Sequence, residues 1–271
     1  MAETASTKGS WDKDGFIILR GFFSHGRIQE INQLLDSLWN NRHFSKNPLI
    51  IDAISETNKH KRMLFREAAD EVRNYSYKLN DLYLESKQIR DLVLDVELCS
   101  VLEKLLNGPP MVCNTLNFEF GSEQADHIDT FYMPPRKTNR MLATWIALDS
   151  VAADNGPVRY FPGSHKIPPY LFSHGKTNAI QAEMPTFRSY IQNELEKRNI
   201  EPTTLSAEPG DVLIWHAQLL HGGLPIVERQ KPRKSLVTHY FCRDDYRHLL
   251  WRVRQAHSNG YYYARRHQAL Q

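Results

Sequence analysis

The sequence predicts an α+β fold in which helices support a β-sandwich or barrel. The first observation behind this prediction is that helical periodicity dominates before Pro110, as in the segment HGRIQEINQLLDSLWN that begins at His25. The second is that short β-rich runs dominate after Pro110, separated by clusters of Gly, Pro, Asn and Asp. Helices followed by many short strands are typical of α+β proteins.

The N-terminal part is predicted to contain one strand and several helices. We expect residues 1–10, which are polar, to be disordered. Residues 14–23 (DGFIILRGFF) form a predicted strand that enters the fold. Residues 67–107 carry further helical patterns and end at a glycine that predicts a helix stop. The first predicted helix has apolar residues at helical spacing, namely Ile28, Ile31, Leu34, Leu35 and Leu38.

The C-terminal part is predicted to hold the sheet. Its five strand-like runs are MVCNTLNFEF, RMLATWIALDSV, PVRYFPGSH, DVLIWHA and SLVTHYF. Residues 166–209 interrupt the strand spacing and contain a predicted surface helix, MPTFRSYIQNELEKRN. Long insertions of this kind are often lids, so we predict a lid over the mouth of the barrel. No linker divides the chain, and residues 1–271 are predicted to form a single domain.

Composition narrows the class of protein. The chain has 271 residues, of which 41% are hydrophobic and 24% charged, as in ordinary globular proteins. A net charge of +3 without a basic stripe argues against a nucleic-acid partner. Three cysteines at no metal-like spacing indicate a reducing compartment. The start has no apolar segment typical of a signal peptide, and no window resembles a membrane span. We therefore expect a cytoplasmic protein without membrane contact, and a homo-oligomer is left open.

The triplet His127-Ile128-Asp129 is the main candidate for a metal site. On an extended strand, residues two apart point to the same face, so the imidazole and the carboxylate would lie together. A third imidazole would complete a set of two histidines and one carboxylate, which suits Fe(II) and leaves positions open for O2 and an organic ligand. Two histidines compete for this role, His216 and His221, and their spacing alone gives His221 only a small preference. A solvated His-x-Asp turn is the alternative.

Four other residues could bind an organic ligand beside such a metal. Arg233 could bind a carboxylate through two parallel hydrogen bonds. Ser235, two residues on and on the same strand face, could add a hydroxyl donor. Asn117 is a polar residue in an apolar strand and needs a partner if it is buried. The alternative for Trp145 is an aromatic residue of the core. The alternative for Arg233 is a surface position in the basic run RQKPRK.

Six motifs in order resemble the phytanoyl-CoA dioxygenase family of Fe(II)/2-oxoglutarate oxygenases. Together they reach from about residue 11 to about residue 243. Each motif alone is weakly specific, whereas the ordered set is highly specific. The motifs are DGFIILRGFF near the start, HID at 127–129, TWIALD at 144–149, NGPVRYFPGSHK at 155–166, GDVLIWHAQLLHGG at 210–223 and RKSLVTHYF at 233–241.

The resemblance implies a fold, a site and cofactors. The implied fold is a double-stranded β-helix, a jelly-roll or cupin-like core that the N-terminal helices buttress. The implied cofactors are Fe(II), 2-oxoglutarate as cosubstrate, and O2. In the implied site His127, Asp129 and His221 bind iron, Arg233 binds the distal carboxylate of 2-oxoglutarate, and Ser235, Trp145 and Asn117 lie beside the cosubstrate.

The resemblance also implies an oxygenase that acts on a small molecule. We expect hydroxylation of a small or medium, anionic metabolite, with release of succinate and CO2. Asp129 disfavours halogenation, because related halogenases carry a small residue at that place. Desaturation, epoxidation and ring formation stay open. Two other functions are a non-catalytic binding protein that kept the fold and a cupin that uses Zn or Mn.

Several groups could contact the substrate, with solvated surface or packing as the alternative for each. The pocket near the metal motif could be shaped by Thr130, Phe131 and Tyr132. The lid could contribute Tyr170, Phe172, His174 and Phe187, for which packing is the favoured role. The C-terminal segment WRVRQAHSNGYYYARRHQALQ is expected to pack on the domain or on a partner subunit. An anionic substrate could meet either of two basic clusters, Arg136, Lys137 and Arg140, or Lys59, Lys61, Arg62 and Arg66.

Overall fold

A large sheet of ten strands and a small sheet of three organise the fold. The computed structural model describes residues 9–54 and 61–270. The order of the large sheet is β1-β9-β6-β11-β5-β4-β2-β3, with β12 and β13 attached through β5, and that of the small sheet is β10-β7-β8. The strands are β1 (Phe16–Leu19), β2 (Ile50–Ala53), β3 (Lys61–Leu64), β4 (Tyr77–Asn80), β5 (Pro110–Phe118), β6 (Met141–Ala147), β7 (Val158–Tyr160), β8 (Thr203–Thr204), β9 (Val212–His216), β10 (His221–Gly223), β11 (Ser235–Cys242), β12 (Val253–His257) and β13 (Gly260–Tyr263).

Besides the helical residues 9–14, the described part of the chain has five α-helices. In the first of them, Ser24 caps the N-terminus by accepting a hydrogen bond from the amide of Arg27. Asp95 caps the fourth in the same way through the amides of Glu97 and Leu98. That helix ends at Asn107, which adopts the left-handed conformation that stops helices. The helices are α1 (His25–Asn40), α2 (Leu82–Glu85), α3 (Lys87–Val93), α4 (Val96–Leu106) and α5 (Met184–Arg198).

The strand β6 shows how the large sheet separates two cores. Leu142 and Ile146 pack against the helices on the outer face, in the same cluster as Ile28 of α1. Trp145 points the opposite way and packs with residues of the small sheet such as Tyr160. Because both faces are covered, β6 and β9 are buried along their whole length. The space between the two sheets is the interior of the jelly roll.

A third apolar cluster belongs to the predicted lid. Phe172, Phe187 and Leu195 are buried in it together with Ile128 and Phe131, which flank Asp129 in the chain. The ring of Phe131 meets the edges of Phe172 and Phe187, with centroids 5.6 and 4.6 Å apart. The segment predicted to be a lid therefore packs directly on the segment that carries the predicted metal motif.

The fold class predicted from the sequence is confirmed, with differences in detail. The prediction for residues 1–10 falls mostly on residues 1–8, which lie outside the described residues, while residues 9 and 10 are helical. Residues 67–107 are not helical throughout, since Asp70–Asn74 form a 3-10 helix and β4 follows. In β4 Tyr77 and Leu79 are fully buried and alternate with polar residues, a period that favours a strand.

The C-terminal segment packs along the domain. Its strand β13 pairs with β5 in parallel, with Tyr261 opposite Met111 and Tyr262 opposite Val112. Arg265, further on, reaches Asp81 with a distance of 2.7 Å between Nη2 and Oδ2. Among the described helices, none is long and apolar enough to cross a membrane.

Candidate metal centre and active site

Two reciprocal backbone hydrogen bonds hold His127 and His221 side by side. The amide of His127 donates to the carbonyl of His221 at 2.8 Å, and the amide of His221 donates back at 3.0 Å. The two imidazole centroids are 4.4 Å apart. The following residue, Gly222, has no room for a side chain, since a Cβ there would lie 2.9 Å from the carbonyl oxygen of Gln124. The glycine after His221 thus permits the close approach of the two segments.

Asp129 lies against both imidazoles. Its Oδ1 is 3.8 Å from Nε2 of His127 and 3.6 Å from Nε2 of His221. One possible ligand atom from each of the three buried residues lies within 4.8 Å of the others. A single ion could therefore contact all three, and two imidazoles with one carboxylate form the donor set that suits Fe(II).

Backbone carbonyls orient both imidazoles. Nδ1 of His127 lies 2.9 Å from the carbonyl oxygen of Ala125, and Nδ1 of His221 lies 3.0 Å from that of Leu219. Each Nδ1–H therefore donates to a carbonyl, which leaves the lone pair of Nε2 directed at the shared centre. Burial lowers the pKa of His127 to about 3, so this imidazole is neutral and able to bind a metal at neutral pH.

Asp129 is held as a carboxylate by its neighbours. Burial alone would raise the pKa of Asp129, but the surrounding histidines, His221 and His239 foremost, outweigh it and hold the pKa below its usual range. The indole Nε1–H of Trp215 donates to Oδ2 at 2.8 Å. This bond fixes one carboxylate oxygen and leaves Oδ1 facing the histidines.

We expect Trp215→Phe to weaken metal binding while the fold is kept. The substitution removes the indole donor to Asp129 and retains an aromatic ring, and loss of such an orienting contact typically lowers metal affinity about 10–100-fold. Fe(II) affinity can be measured under argon by competition with a coloured chelator. Trp39→Phe is the matched control, because it also removes a buried indole donor, here to the Tyr77 hydroxyl at 2.9 Å. Equal affinity in both variants would contradict this role of Trp215.

Arg233 lies in the same cavity as the three candidate ligands. The cavity has a volume of about 1030 Å³, the size of small-molecule sites. Arg233 is 2% exposed, and burial lowers its pKa to about 10. Among the described residues, nothing accepts a hydrogen bond from its Nε or Nη1, and no carboxylate lies within ion-pair distance. A buried guanidinium without an anion is costly, so this position fits the carboxylate of a bound ligand.

The three other residues predicted to contact a ligand differ in their position relative to the cavity. Trp145 lines the cavity, and the guanidinium of Arg233 lies 5.4 Å from the centroid of its ring. Ser235, the first residue of β11, is not among the residues that line the cavity, and its buried Oγ has no hydrogen-bond partner among the described residues. Asn117 is not brought to the cavity, because its amide lies on the other face of β5 and donates to the carbonyl of Ser235 at 3.1 Å. Asn114 lines the cavity instead.

His239 is a residue of the site that the sequence reasoning missed. Its Nε2 lies 3.5 Å from Oδ1 of Asp129, and its Nδ1 lies 3.1 Å from Oδ1 of Asn114. The amide of Asn114 in turn donates to Asp81 at 3.1 Å. A signal was present in the sequence, since His239 is four residues from Ser235 in β11 and an even separation places both on one face of a strand.

The two basic clusters that could bind an anionic substrate differ in whether they line the cavity. Arg140 and Lys137 both pair with Asp245, at 2.8 and 3.0 Å, and neither lines the cavity. Of the earlier cluster, Arg62 lines the cavity and binds Asp52, whereas Lys59 lies outside the described residues. In the lid, Phe172 and Phe187 pack inside their own cluster, in agreement with the expected packing role.

Comparison with known proteins decides the family. The family model described as Phytanoyl-CoA dioxygenase (PhyH) matches residues 11–235, more than four fifths of the chain. The chain belongs to the phytanoyl-CoA dioxygenase family. The predicted resemblance is thereby confirmed.

Similar curated proteins come from nematodes and from a Streptomyces species. The phytanoyl-CoA dioxygenase domain-containing protein 1 homolog of Caenorhabditis elegans is 22% identical over 188 residues, 58% of this chain. The match spans 63% of that relative's length. The 1-deoxypentalenic acid 11-beta-hydroxylase of Streptomyces exfoliatus is 26% identical over 236 residues, which cover 80% of this chain and 73% of the relative.

Solved structures share the fold. The carbocyclase SnoK from nogalamycin biosynthesis superposes with a TM-score of 0.65 at 15% identity, covering 87% of this chain and 83% of its own. EctD from S. alaskensis, solved with 2-oxoglutarate and 5-hydroxyectoine, superposes with a TM-score of 0.63 at 18% identity, covering 89% and 77%. These structural similarities agree with the jelly-roll core predicted for this member of the phytanoyl-CoA dioxygenase family.

Proposed function

We propose that this protein is an Fe(II)- and 2-oxoglutarate-dependent oxygenase that hydroxylates a small or medium organic metabolite. In the overall reaction, substrate, O2 and 2-oxoglutarate give hydroxylated substrate, succinate and CO2. The family supports the reaction class, and the position of the His127–Asp129–His221 group supports the metal. The cytoplasmic location stays a prediction from the sequence.

The observation that carries the proposal is the buried guanidinium of Arg233, which lies in the cavity of the metal group and has no carboxylate partner within the described part of the chain. A cosubstrate that chelates a metal at one end and carries a second carboxylate at the other would use both features at once. 2-Oxoglutarate has this shape, and a planar guanidinium matches a carboxylate with two parallel hydrogen bonds. The flat ring of Trp145 would lie beside the carbon chain of bound 2-oxoglutarate.

The residues of the chain have distinct parts in this reaction. His127, Asp129 and His221 would hold iron, which supplies the redox chemistry that activates O2 and couples it to decarboxylation. Arg233 would bind and orient the cosubstrate, with Ser235 as a second donor. The apolar cluster around Phe172 in the predicted lid would keep water from that side of the cavity, and exclusion of water strengthens each polar contact inside.

Hydroxylation is proposed over other outcomes on two grounds. Asp129 is present, so no vacant ligand position is offered to a halide. The hydroxylase of Streptomyces exfoliatus matches four fifths of the chain. One solved structure with a similar fold is that of a protein named as a carbocyclase. Ring formation is therefore the alternative reaction to test against hydroxylation.

The decisive test is the binding of Fe(II) and 2-oxoglutarate to the anaerobic protein. We expect a weak visible charge-transfer band when both are added, and succinate once air is admitted with a substrate panel. His221→Ala should lose the band, whereas His216→Phe should keep it. His216 is the matched control because it is also buried near the end of β9, where its ring packs 5.8 Å from Trp11. Absence of the band in the wild-type protein would refute the proposed function.

A further inference from the structure

Residues 260–268, which we call the tail, form part of the wall of the metal cavity. Tyr263, Arg265 and Gln268 line the same cavity as the three candidate metal ligands, and all three are partly buried. The family match ends at residue 235, so this part of the wall lies outside the segment that the family model covers. The tail is therefore a place where substrate choice can be specific to this chain.

Helix α2 holds the tail against the cavity wall. The hydroxyl of Tyr83 donates to the carbonyl oxygen of Tyr263 at 2.8 Å. Nε2 of His267 lies 2.7 Å from Oε1 of Glu85, further along the same helix. Together with the pairing of β13 and β5, these contacts fix the backbone on both sides of Arg265. The tail is thus a fixed part of the cavity wall.

Arg265 pairs with a carboxylate that has no contact with solvent. Asp81 is fully buried, and its Oδ2 lies 2.7 Å from Nη2 of Arg265. The amide of Asn114 donates to the other carboxylate oxygen at 3.1 Å. The two charges cancel, and displacement of the tail would leave a buried carboxylate without its counterion. Arg265 therefore holds the tail in place and is not free to bind an anionic ligand.

The groups that the tail offers to a ligand are uncharged. The phenol of Tyr263 and the amide of Gln268 line the cavity, and within residues 9–54 and 61–270 neither group has a hydrogen-bond partner. The strands β5 and β11 add the apolar side chains of Cys113 and Phe241 to the lining. Such a surface fits a ring or hydrocarbon that carries hydroxyl or carbonyl groups. An ionised group would find no unpaired opposite charge among the lining residues of the tail.

Hydrogen-bonded side chains lead from the tail to the carboxylate of the metal site. Asn114, which binds Asp81, also lies 3.1 Å from Nδ1 of His239, and Nε2 of that imidazole lies 3.5 Å from Oδ1 of Asp129. Only three side chains thus separate the Arg265 guanidinium from the Asp129 carboxylate. A molecule of moderate size that contacts the tail therefore also reaches the space in front of the metal site.

We propose that the tail determines substrate specificity, and that Tyr263 and Gln268 contact an uncharged part of the substrate that carries hydroxyl or carbonyl groups. This inference rests on the proposed function and deepens it by naming the chemistry of the substrate at one wall of the cavity. Proteins with the same three candidate ligands can then select different substrates, because recognition lies in a segment beyond the family match.

The test compares three fluorinated probes that differ in one group. para-Fluorobenzyl alcohol carries a hydroxyl, para-fluorotoluene lacks it, and para-fluorobenzoate is an anion. The full chain is loaded with 2-oxoglutarate and Co(II), a paramagnetic and redox-stable substitute for iron. Each probe is titrated into this complex while ¹⁹F relaxation is measured. We expect saturable enhancement for the alcohol.

The double variant Tyr263→Phe/Gln268→Ala removes both hydrogen-bonding groups and keeps the Arg265 anchor. Loss of two neutral hydrogen bonds should weaken binding of the alcohol about tenfold and leave the affinities of the other two probes unchanged. The matched control is Tyr261→Phe/Gln255→Ala, which makes the same two chemical changes at residues that do not line the cavity. It should bind all three probes as the wild type does.

Each outcome separates this inference from the proposed function. The inference is overturned if the wild type shows no saturable enhancement for the alcohol, or if the double variant binds the alcohol as tightly as the wild type does. An equal loss for all three probes overturns it too, because the tail would then have only a packing role. Relaxation of ¹³C-labelled 2-oxoglutarate in the same samples tests the function, which enhancement supports and its absence contradicts.

Discussion

Replacing Asp129 with alanine is expected to abolish iron-dependent turnover. The carboxylate is the negatively charged member of the proposed ligand set, and its removal leaves two neutral imidazoles to hold a dication. We expect succinate formation to fall on the order of 1000-fold, which corresponds to about 4 kcal/mol. The measurements are succinate release and Fe(II) affinity by chelator competition, on the same preparation.

The same substitution should also destabilise the metal-free protein. It leaves the indole donor of Trp215 buried without its acceptor, which typically costs about 1–3 kcal/mol. Asp154→Ala is the matched control, since it removes a surface carboxylate that pairs with Lys231 at 2.8 Å. Turnover in Asp129→Ala close to that of the control would show that the metal is held elsewhere.

Replacing Arg233 with methionine is expected to have opposite effects on binding and on stability. Loss of the buried cation should weaken 2-oxoglutarate binding at least about 100-fold, or about 3 kcal/mol. The metal-free protein should become more stable, because the lowered pKa of about 10 corresponds to a cost of about 3 kcal/mol for burying this charge. The guanidinium is charged at all working pH values, so this cost is present throughout that range.

Thermal unfolding with and without metal and 2-oxoglutarate measures both effects. For a domain of this size, each kcal/mol shifts the midpoint by about 2–4 °C. The wild-type protein should gain much stability from the ligand, and Arg233→Met should start higher and gain little. Arg198→Met, an exposed arginine paired with Glu194 on α5, serves as control. A metal-free Arg233→Met protein that is less stable than wild type would mean that the guanidinium has a structural partner.

Periodicity and motif order predict the fold class and most of the candidate site. The two-residue spacing of His127 and Asp129 predicts side chains on one side of the chain, and the structure brings them together. Long-range contacts follow no such local rule. The choice between His216 and His221 could not come from local spacing, because it depends on a bridge between segments almost a hundred residues apart.

Two residues of the cavity wall could not be predicted from local sequence. Asn117 is polar in an apolar strand, but strand parity decides which face a residue joins, and Asn114 faces the cavity instead. Lys78 lines the cavity from β4, a strand of only four residues that follows a segment with helical patterns. The alternation of buried and polar residues in β4 is too short to outweigh that context.

The shared packing of the lid and the metal segment has a consequence for protein engineering. Ile128 and Phe131 belong to the apolar cluster of the lid, and they enclose Asp129 in the chain. The predicted lid, residues 166–209, therefore cannot be exchanged between relatives as an independent module to alter selectivity. A transplanted lid would need its matching residues on both sides of Asp129, since a misfitting contact there would displace the carboxylate itself.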